Sequence, residues 1–297
     1  MSQVVVLQLL FILAWLAATT SALDSSSMVF PGCPNMCGNI SVPYPFGFGD
    51  QKCYRQGFNL TCNKTGLFTE DMEVLNISLE GQLSVLSKIM KDCYNISGYR
   101  FYQNPLLQTL SNEPYTFSDT ENRFTVLGCD TQGNIRGGDF FFISGCNMFS
   151  LTKSDVIDGQ CAGIGCCQTT IPKGLKNLVI QVNSYDKHSN VFDFNPCGYA
   201  FLVQSSWYYF RRSDLLSFNN SADISGNYSR VPMVLDWAID WTNQNQTCEE
   251  AKKNATTYAC GGNSTCGVSK NGVGYACNCS HGYQGNPYLQ DGCQGNT

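Results

Sequence analysis

Leu75, Ile77 and Leu79 alternate with Asn76, Ser78 and Glu80, the period-two pattern of a strand with one buried face. Gly81-Gln82 then reads as a turn into a second strand that carries Leu83 and Val85. Leu178, Ile180 and Val182 alternate in the same way. Phe140-Phe141-Phe142-Ile143 and Trp207-Tyr208-Tyr209-Phe210 are short apolar runs of residues that favour strands. Helical periodicity is scarce, and a short helix from Thr247 to Ala255 is the exception. The pattern predicts a mostly β chain.

Composition adds a compartment. Seventeen of 297 residues are cysteine, a level that belongs to oxidising, extracellular surroundings. Val4 to Ala17 is almost wholly apolar, and small residues follow to Ala22. This reads as a signal peptide over 1–22 without the usual basic start; the run is short for a membrane anchor. No later stretch is long enough to span a membrane. Asn-X-Ser/Thr sequons stand at Asn39, Asn59, Asn63, Asn76, Asn95, Asn219, Asn227, Asn245, Asn254 and Asn263, with a poorer one at Asn278 between two cysteines. Eleven of 26 asparagines in sequons agrees with secretion. A net charge of −5 argues against nucleic acid, which requires a basic face.

Cysteine spacing divides the chain. Eleven lie between Cys33 and Cys197; six more fall at Cys248, Cys260, Cys266, Cys277, Cys279 and Cys293. The single residue between Cys277 and Cys279, with Tyr275 before and Gly282-Tyr283 after, resembles an EGF-like module. Spacing alone leaves fifteen pairings open. The resemblance implies Cys248–Cys266, Cys260–Cys277 and Cys279–Cys293.

A longer resemblance covers residues 33–294. Cys33-Pro34-Asn35-Met36-Cys37-Gly38-Asn39-Ile40-Ser41-Val42-Pro43-Tyr44-Pro45-Phe46-Gly47 resembles the opening of the galacturonan-binding domain of plant wall-associated receptor kinases. Gly57 to Cys62, Cys161 to Gln168 with Ile171-Pro172, Val231 to Ile239, and Gly282 to Leu289 resemble later family segments in the same order. The resemblance implies four parts: a signal peptide (1–22), a galacturonan-binding-type domain (23–138), a β-rich connecting region (139–243) and an EGF-like module (244–297). Two departures stand out. Ser150 occupies a position where the family usually has cysteine, which leaves an odd thiol: free, bridged between molecules, or buried and inert. The sequence also ends four residues after Cys293, with no HRD or DFG motif, so a short, kinase-less ectodomain is expected.

The expected function is non-catalytic binding of pectin or oligogalacturonide in the cell wall and apoplast. Cations would meet the galacturonate carboxylates. Candidates are Lys52, Arg55, Lys64, Lys88, Lys91 and Arg100. The alternative is a secreted interaction or decoy module that meets a receptor kinase or wall protein through its EGF-like part. Tyr44, Phe46, Trp237 and Trp241 read as core; at least one aromatic of Trp207-Tyr208-Tyr209 reads as exposed. No metal or other cofactor is expected, since Gln244-Asn245-Gln246-Thr247 offers no carboxylate before Cys248. An enzyme reading has only His188, beside Asp186 and Asp193, outside the EGF-like module, and no GxSxG elbow.

Overall fold

A computed structural model describes residues 28–103, 106–110, 114–137, 142–216, 230–240, 247–270 and 272–295. The expected signal segment, Phe140, Phe141, Trp241, residues 244–246 and the sequons at Asn219, Asn227 and Asn245 lie outside these residues.

The described chain is mostly β. Strands β1 (Met36–Cys37) and β2 (Ile40–Ser41) form a small hairpin. Then follow β3 (Thr61–Asn63), β4 (Gly66–Thr69), β5 (Met72–Ser78), β6 (Gln82–Lys88), β7 (Met90–Tyr94), β8 (Arg100–Gln103) and β9 (Leu106–Thr109). Next come β10 (Tyr115–Phe117), β11 (Asn122–Gly128), β12 (Asp130–Gly137), β13 (Ile143–Phe149), β14 (Gly165–Thr169), β15 (Asn177–Asn183), β16 (Cys197–Gln204) and β17 (Arg230–Trp237). The C-terminal part holds helix α1 (Cys248–Lys252) and two hairpins, β18 (Ser264–Val268) with β19 (Tyr275–Cys279) and β20 (Tyr283–Gly285) with β21 (Cys293–Gly295).

Three larger sheets carry the architecture: β10-β17-β6-β5-β4-β3, β14-β11-β16-β7-β8 and β13-β12-β15-β9. Strands from both sides of residue 138 share all three. One core draws Val74, Val85 and Leu235 from the first sheet, Val126 and Leu202 from the second, and Ile135 and Ile180 from the third. Leu127, Phe201 and Val203 point the other way, into a second core with Phe210 and Leu215. The five-stranded sheet is therefore apolar on both faces. That explains why β16 lacks the polar alternation of a half-exposed strand.

Local sequence accounts for most of these elements. β15 buries Leu178, Ile180 and Val182 and turns Asn177, Val179, Gln181 and Asn183 outward. β5 departs from the expected alternation. A bulge between Val74 and Asn76 leaves Leu75 exposed, and the fully buried positions are Met72 and Val74. Trp207–Phe210, a strand by its composition, forms none, because no described segment pairs with it. Trp207 closes a turn, its N–H donating to the Gln204 carbonyl at 3.0 Å, and Phe210 plugs the second core while Trp207 and Tyr209 face solvent. Pro232 is tolerated in β17 because β10 pairs only with Leu235 to Trp237.

The EGF-like module is docked, not tethered. Its disulfides are Cys248–Cys266, Cys260–Cys277 and Cys279–Cys293. Ile239 and Tyr275 exchange both backbone hydrogen bonds, at 2.9 and 3.0 Å. Tyr288 packs on Trp237 with ring centroids 5.5 Å apart. The Asn286 side chain, fully buried, donates to the carbonyls of Met28 (2.9 Å) and Tyr44 (2.7 Å), and its Oδ1 accepts from the Tyr288 N–H. Arg55 donates to the Thr257 carbonyl at 2.6 Å and lies 3.5 Å from Asp240.

Upstream, Cys33–Cys53, Cys37–Cys62, Cys93–Cys197, Cys146–Cys167 and Cys161–Cys166 are bridged. Cys129 is free and buried, and burial with the nearby Asp155 charge pushes its thiol up to about 11. The N–H of Ser150 donates to the Cys129 carbonyl at 2.7 Å, next to the Asp130–Phe149 pair. Ser150 thus sits directly across the ladder from the odd thiol.

Two outcomes follow from these contacts. Ser150→Cys should close a bridge to Cys129: the titratable thiol in denatured protein disappears, and stability rises by roughly 3 kcal/mol for a loop of about twenty residues. Asn286→Ala should cost roughly 2–4 kcal/mol, because two buried carbonyls lose their donor. Thermal unfolding measures both; a loss under about 0.5 kcal/mol for the asparagine variant contradicts the docked arrangement.

Candidate functional site

β6 ends at Lys88 and β17 begins at Arg230, and the two residues are direct cross-strand partners. Like charges in that position repel. Each cation is held by its own carboxylate from the β4–β5 side: Lys88 Nζ lies 3.1 Å from Asp71, and an Arg230 Nη lies 3.4 Å from Glu73. Beside them the edge strand β9 brings Leu106 and Leu107. A groove of about 240 Å3 results, with Lys88, Arg230, Glu70 and Asp71 as its charged wall and Leu86, Leu106 and Leu107 among its apolar lining.

The groove is self-neutralised but weakly so. The Asp71 side chain is 74% exposed, so its ion pair is worth at most about 1 kcal/mol. An incoming carboxylate can take its place at little cost. Leu107 is exposed on the rim and offers an apolar surface beside the charges.

Of the six cations expected from sequence, Lys88 alone lines this groove. Lys52 is exposed beside Asp50, and Lys64 is exposed in the β3–β4 turn. Arg55 ties the N-terminal segment to the EGF-like module. Lys91 sits over the Tyr199 ring at 6.0 Å, and burial lowers its ammonium from the ordinary value. Arg100 pairs with buried Asp92 at 3.0 Å and accompanies the Tyr94 ring. Arg230 is not among the six. Its partner is 142 positions away in sequence, and the only local sign is its place just before the Val231-Pro232-Met233 segment.

Residues 33–88 match the family model described as wall-associated receptor kinase galacturonan-binding, and residues 158–246 match that of wall-associated kinase. Wall-associated receptor kinase 2 of Arabidopsis thaliana is 40% identical over 267 residues, covering 88% of this chain. Wall-associated receptor kinases 4 and 1 of the same plant are each 35% identical, over 89% and 88% of the chain. The chain belongs to the wall-associated receptor kinase family. It spans 34% of the length of each of these three relatives. No solved structure matches it. The two family models meet in the groove: the first supplies Lys88 and Asp71, the second Arg230.

Elsewhere the wall-associated family segments pack as structure. Phe46 and Trp237 are fully buried. All eight described sequon asparagines are exposed, and no described helix is long and apolar enough to cross a membrane. His188 is fully buried with a left-handed backbone, φ 58°. Its N–H donates to Asp130 at 2.8 Å, and its ring lies 5.9 Å from Tyr94. Asp130 gathers this loop, accepting also from Ser184 Oγ and from the N–H groups of Tyr185 and Asp186.

Burial lowers the His188 imidazole from its ordinary value, more than the Asp130 charge raises it. The folded state therefore binds this proton less readily than the unfolded chain. Stability is full above about pH 6.5 and falls as pH drops below it. Asp92, raised by burial, acts in the opposite sense. In His188→Asn, which tolerates the left-handed backbone, the decline in Tm between about pH 7 and 5 should flatten. An unchanged slope counts against a neutral buried imidazole.

Proposed function

We propose that this chain binds galacturonan, the polyanionic backbone of pectin, in the plant cell wall and without catalysis. The reading is carried by one observation: two cations face each other across adjacent strands, in a groove built jointly by both family segments. Such a pair is costly in an empty protein and useful to one that holds carboxylates. A galacturonate carboxylate displaces exposed Asp71 from Lys88 and is shared with Arg230. The sugar ring then rests on the Leu106–Leu107 side. Each such contact is weak, and repeated carboxylates along a polymer raise the effective concentration of the next. The exposed sequon asparagines favour an extracellular, glycosylated protein.

Binding of the secreted, glycosylated chain to oligogalacturonides should saturate and weaken with added salt. Lys88→Gln or Arg230→Gln should each weaken it about tenfold, roughly 1.4 kcal/mol, while Lys52→Gln leaves it unchanged. Folded protein that shows no salt-sensitive binding, or equal affinity in all three variants, would falsify the assignment.

A further inference from the structure

The β7–β8 hairpin carries a sequon at its tip. Asn95-Ile96-Ser97 follows β7, and Gly98, with φ 71°, turns the chain back toward β8. Asn95 and Tyr99 close the turn. The Asn95 N–H donates to the Tyr99 carbonyl at 3.0 Å, and the Gly98 N–H donates to the Asn95 carbonyl at 2.9 Å. The Asn95 Oδ1 accepts from the N–H groups of Ser97 and Tyr99, at 3.0 and 2.9 Å. The side-chain oxygen is thus committed to the backbone, and Asn95 is exposed, which leaves its amide nitrogen, the atom a glycan takes, to solvent.

Tyr94 and Arg100, the next cross-strand pair, face the protein: Tyr94 is buried, and Arg100 reaches buried Asp92 at 3.0 Å. Alternation then turns Asn95 and Tyr99 together to the solvent side. Tyr99 is 70% exposed and Ile96 is 83% exposed. A register shift between Cys93 and Tyr94 leaves Phe101 outside the ladder, 61% exposed and two residues from Tyr99. Three large apolar side chains within six residues, all mostly in water, mark a surface that is covered in use. β8 is also the end strand of its sheet, where such a patch invites pairing with another chain.

Other sequons in paired backbone face no ring. Asn59, Asn63, Asn76 and Asn278 stand opposite Gly47, Gly66, Ser84 and Thr265. A β-linked N-acetylglucosamine presents its axial C–H groups as an apolar face, which suits the face of an aromatic ring. A sugar rooted at Asn95 is held beside Tyr99 at high effective concentration, ahead of any diffusing partner.

We infer that a glycan on Asn95 is the cover: its first N-acetylglucosamine lies on the Tyr99 ring, flanked by Ile96 and Phe101, and shields the end strand β8. Attachment takes a lipid-pyrophosphate-linked oligosaccharide. The bond from Asn95 Nδ2 to sugar C1 forms, the C1–O bond to pyrophosphate breaks, and one amide proton is released. The inference rests on the glycosylated, extracellular part of the proposed function and not on the groove.

The test compares protein secreted by a host that adds high-mannose glycans with Ser97→Ala, which removes the sequon and keeps the Asn95 turn, and with Tyr99→Ala. Peptide mass should show Asn95 occupied in the wild type. Ser97→Ala and Tyr99→Ala should each lower Tm by about 2–4 °C, and the double variant no further. Asn76→Gln, which removes a glycan opposite a serine, should leave Tm unchanged. Trimming the wild type to a single N-acetylglucosamine should preserve Tm, and the ring protons of that sugar should show nuclear Overhauser contacts to Tyr99. An empty Asn95 in folded protein overturns the inference. So does a Tm indifferent to Ser97→Ala, an equal loss in Asn76→Gln, a glycan effect that is the same with and without Tyr99, a loss of Tm on trimming, or a trimmed sugar without contact to the ring. None of these measurements requires oligogalacturonide, so failure of the groove assignment leaves them untouched.

Discussion

Trp237 is wholly buried at the end of β17, edge-on to Phe46 at 5.2 Å and Phe58 at 5.5 Å, and tilted against Tyr288. Its indole N–H donates to the Ser78 carbonyl at 3.2 Å, which satisfies the one polar atom this burial would otherwise strand. Four distant segments meet at that ring: the N-terminal motif, the end of β5, β17 and the EGF-like module. Tyr115 stacks on Phe46 from β10. The aromatic cluster therefore fixes β17, and β17 carries Arg230 at its other end. Placement of the groove depends on packing some seven residues away, about 23 Å along the strand.

This arrangement divides labour between two kinds of charge. Arg55, Arg100 and Lys91 serve structure, against Thr257 and Asp240, Asp92 and Tyr94, and Tyr199. Lys88 and Arg230 repel one another and are quieted only by carboxylates at the surface. A partly buried pair such as Arg100–Asp92 cannot be exchanged for a ligand without leaving Asp92 as an uncompensated buried charge. The half-exposed pairs at the groove can. Net charge alone would exclude an acidic ligand; the local geometry of the groove admits one.

Much of the fold was legible because short-range constraints wrote it. The alternation of Leu178, Ile180 and Val182 survives intact as β15, and α1 begins one residue into its expected span. Phe46 and Trp237 are core, as their motifs suggested. Leu75 misled because a bulge shifts the pleat by one residue, and a bulge leaves no composition signal. Trp207–Phe210 kept its in-and-out alternation but lacks a partner strand among the described residues, which sequence does not show. The site was the least visible part. Lys88 and Arg230 are neighbours only through strand pairing across 142 positions. The role of Asn286 was hidden likewise: its segment reads as the end of a small module, while its side chain serves the N-terminal motif.

The central claim is that the opposed cations of β6 and β17 hold the polyanion. Hydrogen–deuterium exchange of the secreted, glycosylated protein, with and without a long unesterified oligogalacturonide, addresses it most directly. The account predicts ligand-induced slowing concentrated at residues 70–72, 86–88, 106–110 and the start of β17, with the EGF-like module unchanged. Slowing centred instead on the EGF-like hairpins, or around Lys52 and Lys64, would contradict it.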